Sequence, residues 1–220
     1  SRGSLVRHVR TKEPRAAWVA RTRLDNLFPE LPKQPGFHKR RRRLGPQIEW
    51  LTGIFAASSP GYYDDVVLLD STPLECGRSR ETVERSALAD HCGYGYCQSH
   101  SRYFWGMRFH LACAPDGTPR GLALVAANRP EREVALELLP EALRGGEAVI
   151  CDKGYAGEEF AERVRALGGL VLRPNRKDEE GIGPWLAPIR QRIESVFWSF
   201  KDILCLERHG ARTIEGLCER

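Results

Sequence analysis

The sequence predicts an α/β protein: a mixed sheet flanked by helices, preceded by a basic N-terminal segment that is mostly helical or extended. Three observations predict it. From residue 66 onward, short and wholly apolar runs alternate with helical patterns, as buried strands and their covering helices do. A hairpin signal opens that alternating series. Charge is unevenly divided: residues 1–43 carry 13 Lys/Arg against 3 Asp/Glu, and the remainder carries 21 against 26.

Each element follows in turn. Residues 15–26 read as a helix. "LFPELPKQPGFHKRRRR" reads as an extended connector, because three prolines interrupt it, and it ends in the basic patch Lys39, Arg40, Arg41, Arg42 and Arg43. Residues 46–57 read as a short helix with Trp50, Leu51, Ile54 and Phe55 on one side. "VVLLD" reads as a buried strand that ends at Asp70. Residues 73–101 read as a polar insert without a steady period, Gly-Tyr-Gly-Tyr included. Residues 103–114 and 120–128 flank Pro-Asp-Gly-Thr-Pro, two strands about a turn. Core packing is expected for Tyr103 to Trp105, which begin the first of them. Residues 131–144 are helical, with Val134, Leu138 and Leu139 toward the core. "AVICD" is a strand ending at Asp152, 157–167 a helix, and "GGLVLRP" a strand stopped by Pro174.

The best helix spans 186–204. Leu186, Ile189, Ile193, Val196, Phe197, Phe200, Ile203 and Leu204 share one stripe at helical spacing. At about 100° per residue, Arg190, Glu194 and Lys201 fall within roughly 40° of one another at its edge. The organisation expected is therefore a basic segment and connector over 1–60 and an α/β domain over 61–220.

Composition bounds the function. No apolar run is long enough to cross a bilayer, so no membrane role is expected. Seven scattered cysteines, an odd number, predict reduced thiols and a cytoplasmic setting. His91, Cys92, Cys97 and His100 fit no standard zinc spacing. His100, His110 and His209 read as hydrogen-bonded or surface residues, and Cys151 as a small buried strand residue. A basic arm on a mildly acidic body predicts a polyanionic partner, nucleic acid first. The chain lacks an initiator Met and stops within a helical pattern, so it reads as a fragment of a longer protein.

The chemistry lies in the acids. If the strands ending at Asp70 and Asp152 are parallel neighbours, their carboxylates lie side by side beyond the sheet. Glu194 comes from the helix packed on that sheet. Three such acids repel one another, and a divalent cation resolves the conflict, since Mg²⁺ and Mn²⁺ favour carboxylate oxygens. Two ions about 3.5–4 Å apart can run phosphodiester displacement.

Here the residues resemble a family. "LLDSTP" around Asp70, "CDKGY" around Asp152 and "RQRIESVFWSFK" around Glu194 resemble the signature blocks of insertion-sequence DDE transposases of bacteria. "LFPELPKQPGFHKRRRR" is similar to the segment before the catalytic domain in one branch of them. The resemblance covers residues 27–212. It implies an RNase H-like fold and metal-dependent nicking and strand transfer of DNA. Asp70, Asp152 and Glu194 would be the catalytic, metal-binding triad for Mg²⁺ or Mn²⁺, with two ions. Lys153 and Tyr155 would lie near the DNA, and Arg190 and Lys201 would neutralise phosphates. Lys39 to Arg43 would add phosphate contacts. Partners would be insertion-sequence ends, target DNA and a second copy in a homodimer on DNA. The third block departs from the widest family pattern at Ala187, where that pattern has Tyr. Two alternatives stay open: a metal-dependent nuclease of the same fold, and an inactive DNA-binding remnant.

Overall fold

A computed structural model describes residues 33–97, 101–177, 179 and 184–218. The helix expected at 15–26 and His100 lie outside the described residues. The chain divides into two compact units, 1–50 and 51–218.

In the first unit, α1 (Gln34–Arg43) is helical where an extended connector is expected. The cause is local. Pro35 falls in the first turn, where its missing N–H costs nothing, and arginines are good helix formers. Arg40 to Arg43 also occupy the last turn, the favourable end for cations. Helix α2 (Gly45–Ala57) matches the expected short helix.

The second unit holds the sheet. Its elements are β1 (Val66–Gly77), α3 (Arg80–Arg85), β2 (Gly93–Cys97), β3 (Arg102–Cys113) and β4 (Pro119–Ala126), then α4 (Glu131–Ala142), β5 (Ala148–Ile150), α5 (Glu158–Ala166), β6 (Leu170–Leu172), α6 (Ala187–Asp202) and α7 (Ile214–Cys218). The order across the sheet is β2-β3-β1-β5-β6, with β4 also on β3. β1 pairs antiparallel with β3 and parallel with β5, and β5 pairs parallel with β6. The sheet is therefore mixed, as expected.

Two readings of this region are corrected. The stretch 73–101 is not an irregular insert: β1 runs on to Gly77, α3 follows, and β2 pairs with β3. Gly95 explains the Gly-Tyr alternation. A Cβ there would stand 2.6 Å from the Ala127 carbonyl oxygen, so β2 lies flat on that side and presents Tyr94 and Tyr96 on the other. Tyr103, directly opposite Tyr96, is 75% exposed, whereas Phe104 and Trp105 are buried. The core expectation holds for two of those three residues.

The sheet has an apolar layer on each face. On one, Val67, Leu69, Ala112 and Val149 pack with Ala135, Leu138 and Leu139 of α4 and Phe160 and Val164 of α5. On the other, Leu68, Leu111 and Ile150 pack with Leu186, Ile193 and Phe197 at α6. Alternation along a strand requires this division. The α6 stripe ends earlier than its spacing predicts: the helix stops at Asp202, and Ile203 and Leu204 are exposed.

One buried ion pair fastens the far end of the sheet. The Arg120 guanidinium is fully buried and lies 3.4 Å from Glu147 Oε1. It also donates to the carbonyls of Gly61 and Asp64. Glu147 accepts from the amides of Arg144 and Gly145, both at 2.8 Å.

Candidate active site

Register builds the site. Val66, Val67 and Leu68 of β1 stand beside Ala148, Val149 and Ile150 of β5. Carried two residues further, that offset sets Asp70 beside Asp152. β5 ends at Ile150, but β1 does not end at Asp70. β3 continues to pair with it as far as Gly77, so Asp70 lies inside a strand, opposite Leu111. Asp70 shares a parity with Leu68 and so lies on the face that α6 covers.

The two acids are held alike. Asp70 Oδ1 accepts from the Ser71 amide at 2.8 Å, and Asp152 Oδ1 accepts from the Lys153 amide at 2.7 Å. Asp152 thereby caps the short 3₁₀ turn Lys153–Tyr155. Burial raises the Asp70 carboxyl from 3.8 to about 6. The Ser71 amide opposes that rise, the charges of Asp152 and Glu194 add to it, and Arg190 offsets it. Asp70 therefore senses both other acids.

Helix α6 contributes opposite charges to the same place. Arg190 Nη2 lies 3.3 Å from Asp152 Oδ1, with both side chains partly exposed. Glu194, one turn further along, is exposed. Lys201 does not complete a free ridge with them, because its Nζ is 3.0 Å from Glu207. Among the described residues, no three His, Cys, Asp or Glu side chains stand at metal-binding spacing. The ion-pair partner of Asp152 is the Arg190 guanidinium. The donor set itself is all carboxylate, the hard-oxygen chemistry that Mg²⁺ or Mn²⁺ requires, and the Asp70 carboxyl, raised first by burial and then by the charges of Asp152 and Glu194, is one that a cation would relieve.

The family profile for the transposase DDE domain matches residues 62–217. The chain belongs to the transposase DDE domain family. No curated protein matches it. The mixed sheet flanked by helices is accordingly an RNase H-like fold, and the substrate class of this transposase-family chain is DNA. No helix among the described residues is long and apolar enough to cross a membrane.

Within the transposase domain, other residues fall as follows. Lys153 is exposed at the start of the turn. Tyr155 corrects its expectation: it is 1% exposed and packs on Phe160, ring centroids 5.7 Å apart, so it cannot face DNA. The turn after Asp152 rolls it into the core between the sheet and α5. His110 is also corrected. It is fully buried and neither ring nitrogen has a hydrogen-bond partner, and burial lowers its pKa to about 4. His209 is buried and bonded to the Glu75 carbonyl and the Ala211 amide. Cys151 is buried as expected, its thiol pushed up to about 12 by burial.

Sequence reasoning missed Ser71, Arg108, Glu131 and Arg132. Ser71 Oγ donates to Glu131 Oε1 at 3.1 Å, and Arg108 is paired with the same oxygen. The partial signal was Glu131 itself, an acid at the first position of a helix.

Proposed function

We propose that this chain nicks DNA at the ends of an insertion sequence and joins the freed 3′ hydroxyl to target DNA. Asp70, Asp152 and Glu194 are the catalytic triad and would hold Mg²⁺ or Mn²⁺, as two ions. The β1–β5 register, which aligns Asp70 with Asp152 on a transposase-family sheet, is the observation that supports this reading. Bound there, the cations supply Lewis-acid activation of the phosphodiester.

The chain's own groups do the rest. The Ser71 and Lys153 amides fix one oxygen of each aspartate and leave the other for a ligand. Arg190 neutralises Asp152 in the resting protein and is in reach to turn to a phosphate. Lys153, exposed beside Asp152, and Lys201, once released from Glu207, meet the DNA backbone. Lys39 and Arg40 to Arg43 add sequence-independent phosphate contacts from one end of α1. Two ends must be brought together, so the working form is a homodimer on DNA.

The test is a labelled duplex carrying the element end, incubated with wild type or Asp152→Asn and Mg²⁺ or Mn²⁺. Metal-dependent nicks and strand-transfer products are expected from the wild type. At least a thousandfold loss is expected in the variant, consistent with removal of a group acting in the transition state. Nicks without joined products would make the chain a nuclease. Binding without nicks would make it a DNA-binding remnant.

A further inference from the structure

We infer that Glu131 and Arg132, the first two residues of α4, are positioning residues that set the spacing between Asp70 and Asp152. The inference rests on the triad reading above. It starts from where the first turn of α4 makes its polar contacts.

Glu131 contacts the segment that carries Asp70, and its neighbour Arg132 contacts the segment that follows Asp152. Glu131 Oε1 accepts from Ser71 Oγ at 3.1 Å and is paired with Arg108. Ser71 is the residue whose amide holds the Asp70 carboxylate. Its Oε2 faces Gly154, where a Cβ would stand 3.9 Å away. Gly154 lies in the turn that Asp152 caps. Arg132 completes the grip: its Nη1 donates to the Ala156 carbonyl at 2.8 Å. A Cβ on Gly157 would come within 2.7 Å of that same nitrogen, and Gly157 has φ +144, so glycine is required for the chain to pass beneath the guanidinium.

The arrangement matters because, beside the packing of Tyr155 on Val67 and Leu69, it adds polar contacts at the level of the two acids. Ladder pairing between β1 and β5 stops at Leu68 and Ile150, two residues short of both acids. Beyond it, the distance between the aspartates depends on side-chain contacts. Arg108 anchors the brace from β3, with Nη1 3.4 Å from Ser71 Oγ and Nη2 donating to the Tyr96 carbonyl at 3.0 Å. A helix-end acid acting only on the dipole would need none of these partners. Groups behind metal ligands act in this way, orienting the ligands without touching the ion.

The experiment compares wild type, Glu131→Gln and Asp152→Asn for Mn²⁺ binding by electron paramagnetic resonance, without DNA. Thermal unfolding and nicking kinetics are measured on the same samples. Expected for Glu131→Gln are a Mn²⁺ dissociation constant raised about tenfold or more, kcat down roughly tenfold to a hundredfold, and KM for DNA and Tm nearly unchanged. Wild-type Mn²⁺ affinity in Glu131→Gln would overturn the inference, whether or not Tm falls. If Glu131→Gln does not fold, Ser71→Ala cuts the same brace at its other end and is read by the same criteria. Asp152→Asn separates the two claims. Should it lose Mn²⁺ while Glu131→Gln keeps it, only the brace fails. Should it bind Mn²⁺ as the wild type does, the triad fails and the brace with it.

Discussion

At pH 7.5 without divalent cation, Asp70→Asn is expected to unfold at higher temperature than the wild type while nicking no DNA. Burial raises the Asp70 carboxyl from 3.8 to about 6, so the folded protein favours the neutral acid. The stability contributed by that preference is fully present below about pH 4 and is lost as pH rises through about 6. At pH 7.5 the wild type therefore carries the cost of a buried charge, at most about 3 kcal/mol for a shift of this size. Asparagine keeps an oxygen for the Ser71 amide and removes the charge. The check is thermal unfolding from pH 4 to 8, with and without Mn²⁺. The gap between variant and wild type should widen between pH 4 and 7. Mn²⁺ should raise the Tm of the wild type and leave Asp70→Asn in place. A variant less stable than wild type at pH 7.5 would mean that Asp70 is well solvated or already compensated.

Arg120→Met is expected to cost about 3–5 kcal/mol, a large share of a domain's total stability. Its guanidinium is fully buried, and its loss leaves the buried Glu147 carboxylate without a counter-charge. It also strips donors from the carbonyls of Gly61 and Asp64. Three stretches separate as a result: the turn before β1, the start of β4 and the turn into β5. Denaturant unfolding of the variant gives the number. The exposed Arg129–Glu137 pair is the contrast, and Arg129→Ala should scarcely move the midpoint. Wild-type stability in Arg120→Met would contradict a structural role for the pair.

The strands and helices of the second unit were legible because their apolar periods are local. "VVLL", "AVI" and "LVL" are wholly apolar; the first two occupy the parallel centre, where both faces are covered, and "LVL" forms the parallel edge strand beside them. The juxtaposition of Asp70 with Asp152 followed from that pattern. The continuation of β1 did not, because Asp-Ser-Thr-Pro carries turn chemistry. Pro73 is tolerated there since β5 has already left that side of β1, and a strand edge accepts proline. Tyr155 was misjudged because position after the acid says nothing of which way the turn rolls it. The contacts of Glu131 were invisible for another reason. Ser71 lies 60 residues away, and only the folded sheet brings them together.

The central claim is that Asp70, Asp152 and Glu194 form one cation site. Anomalous diffraction from crystals soaked in Mn²⁺ tests it most directly. The account predicts manganese peaks within coordination distance of the Asp70 and Asp152 carboxylates, with Glu194 turned toward them and Arg190 moved off Asp152. Peaks elsewhere on the chain, or no peak and Arg190 still seated 3.3 Å from Asp152, would contradict it.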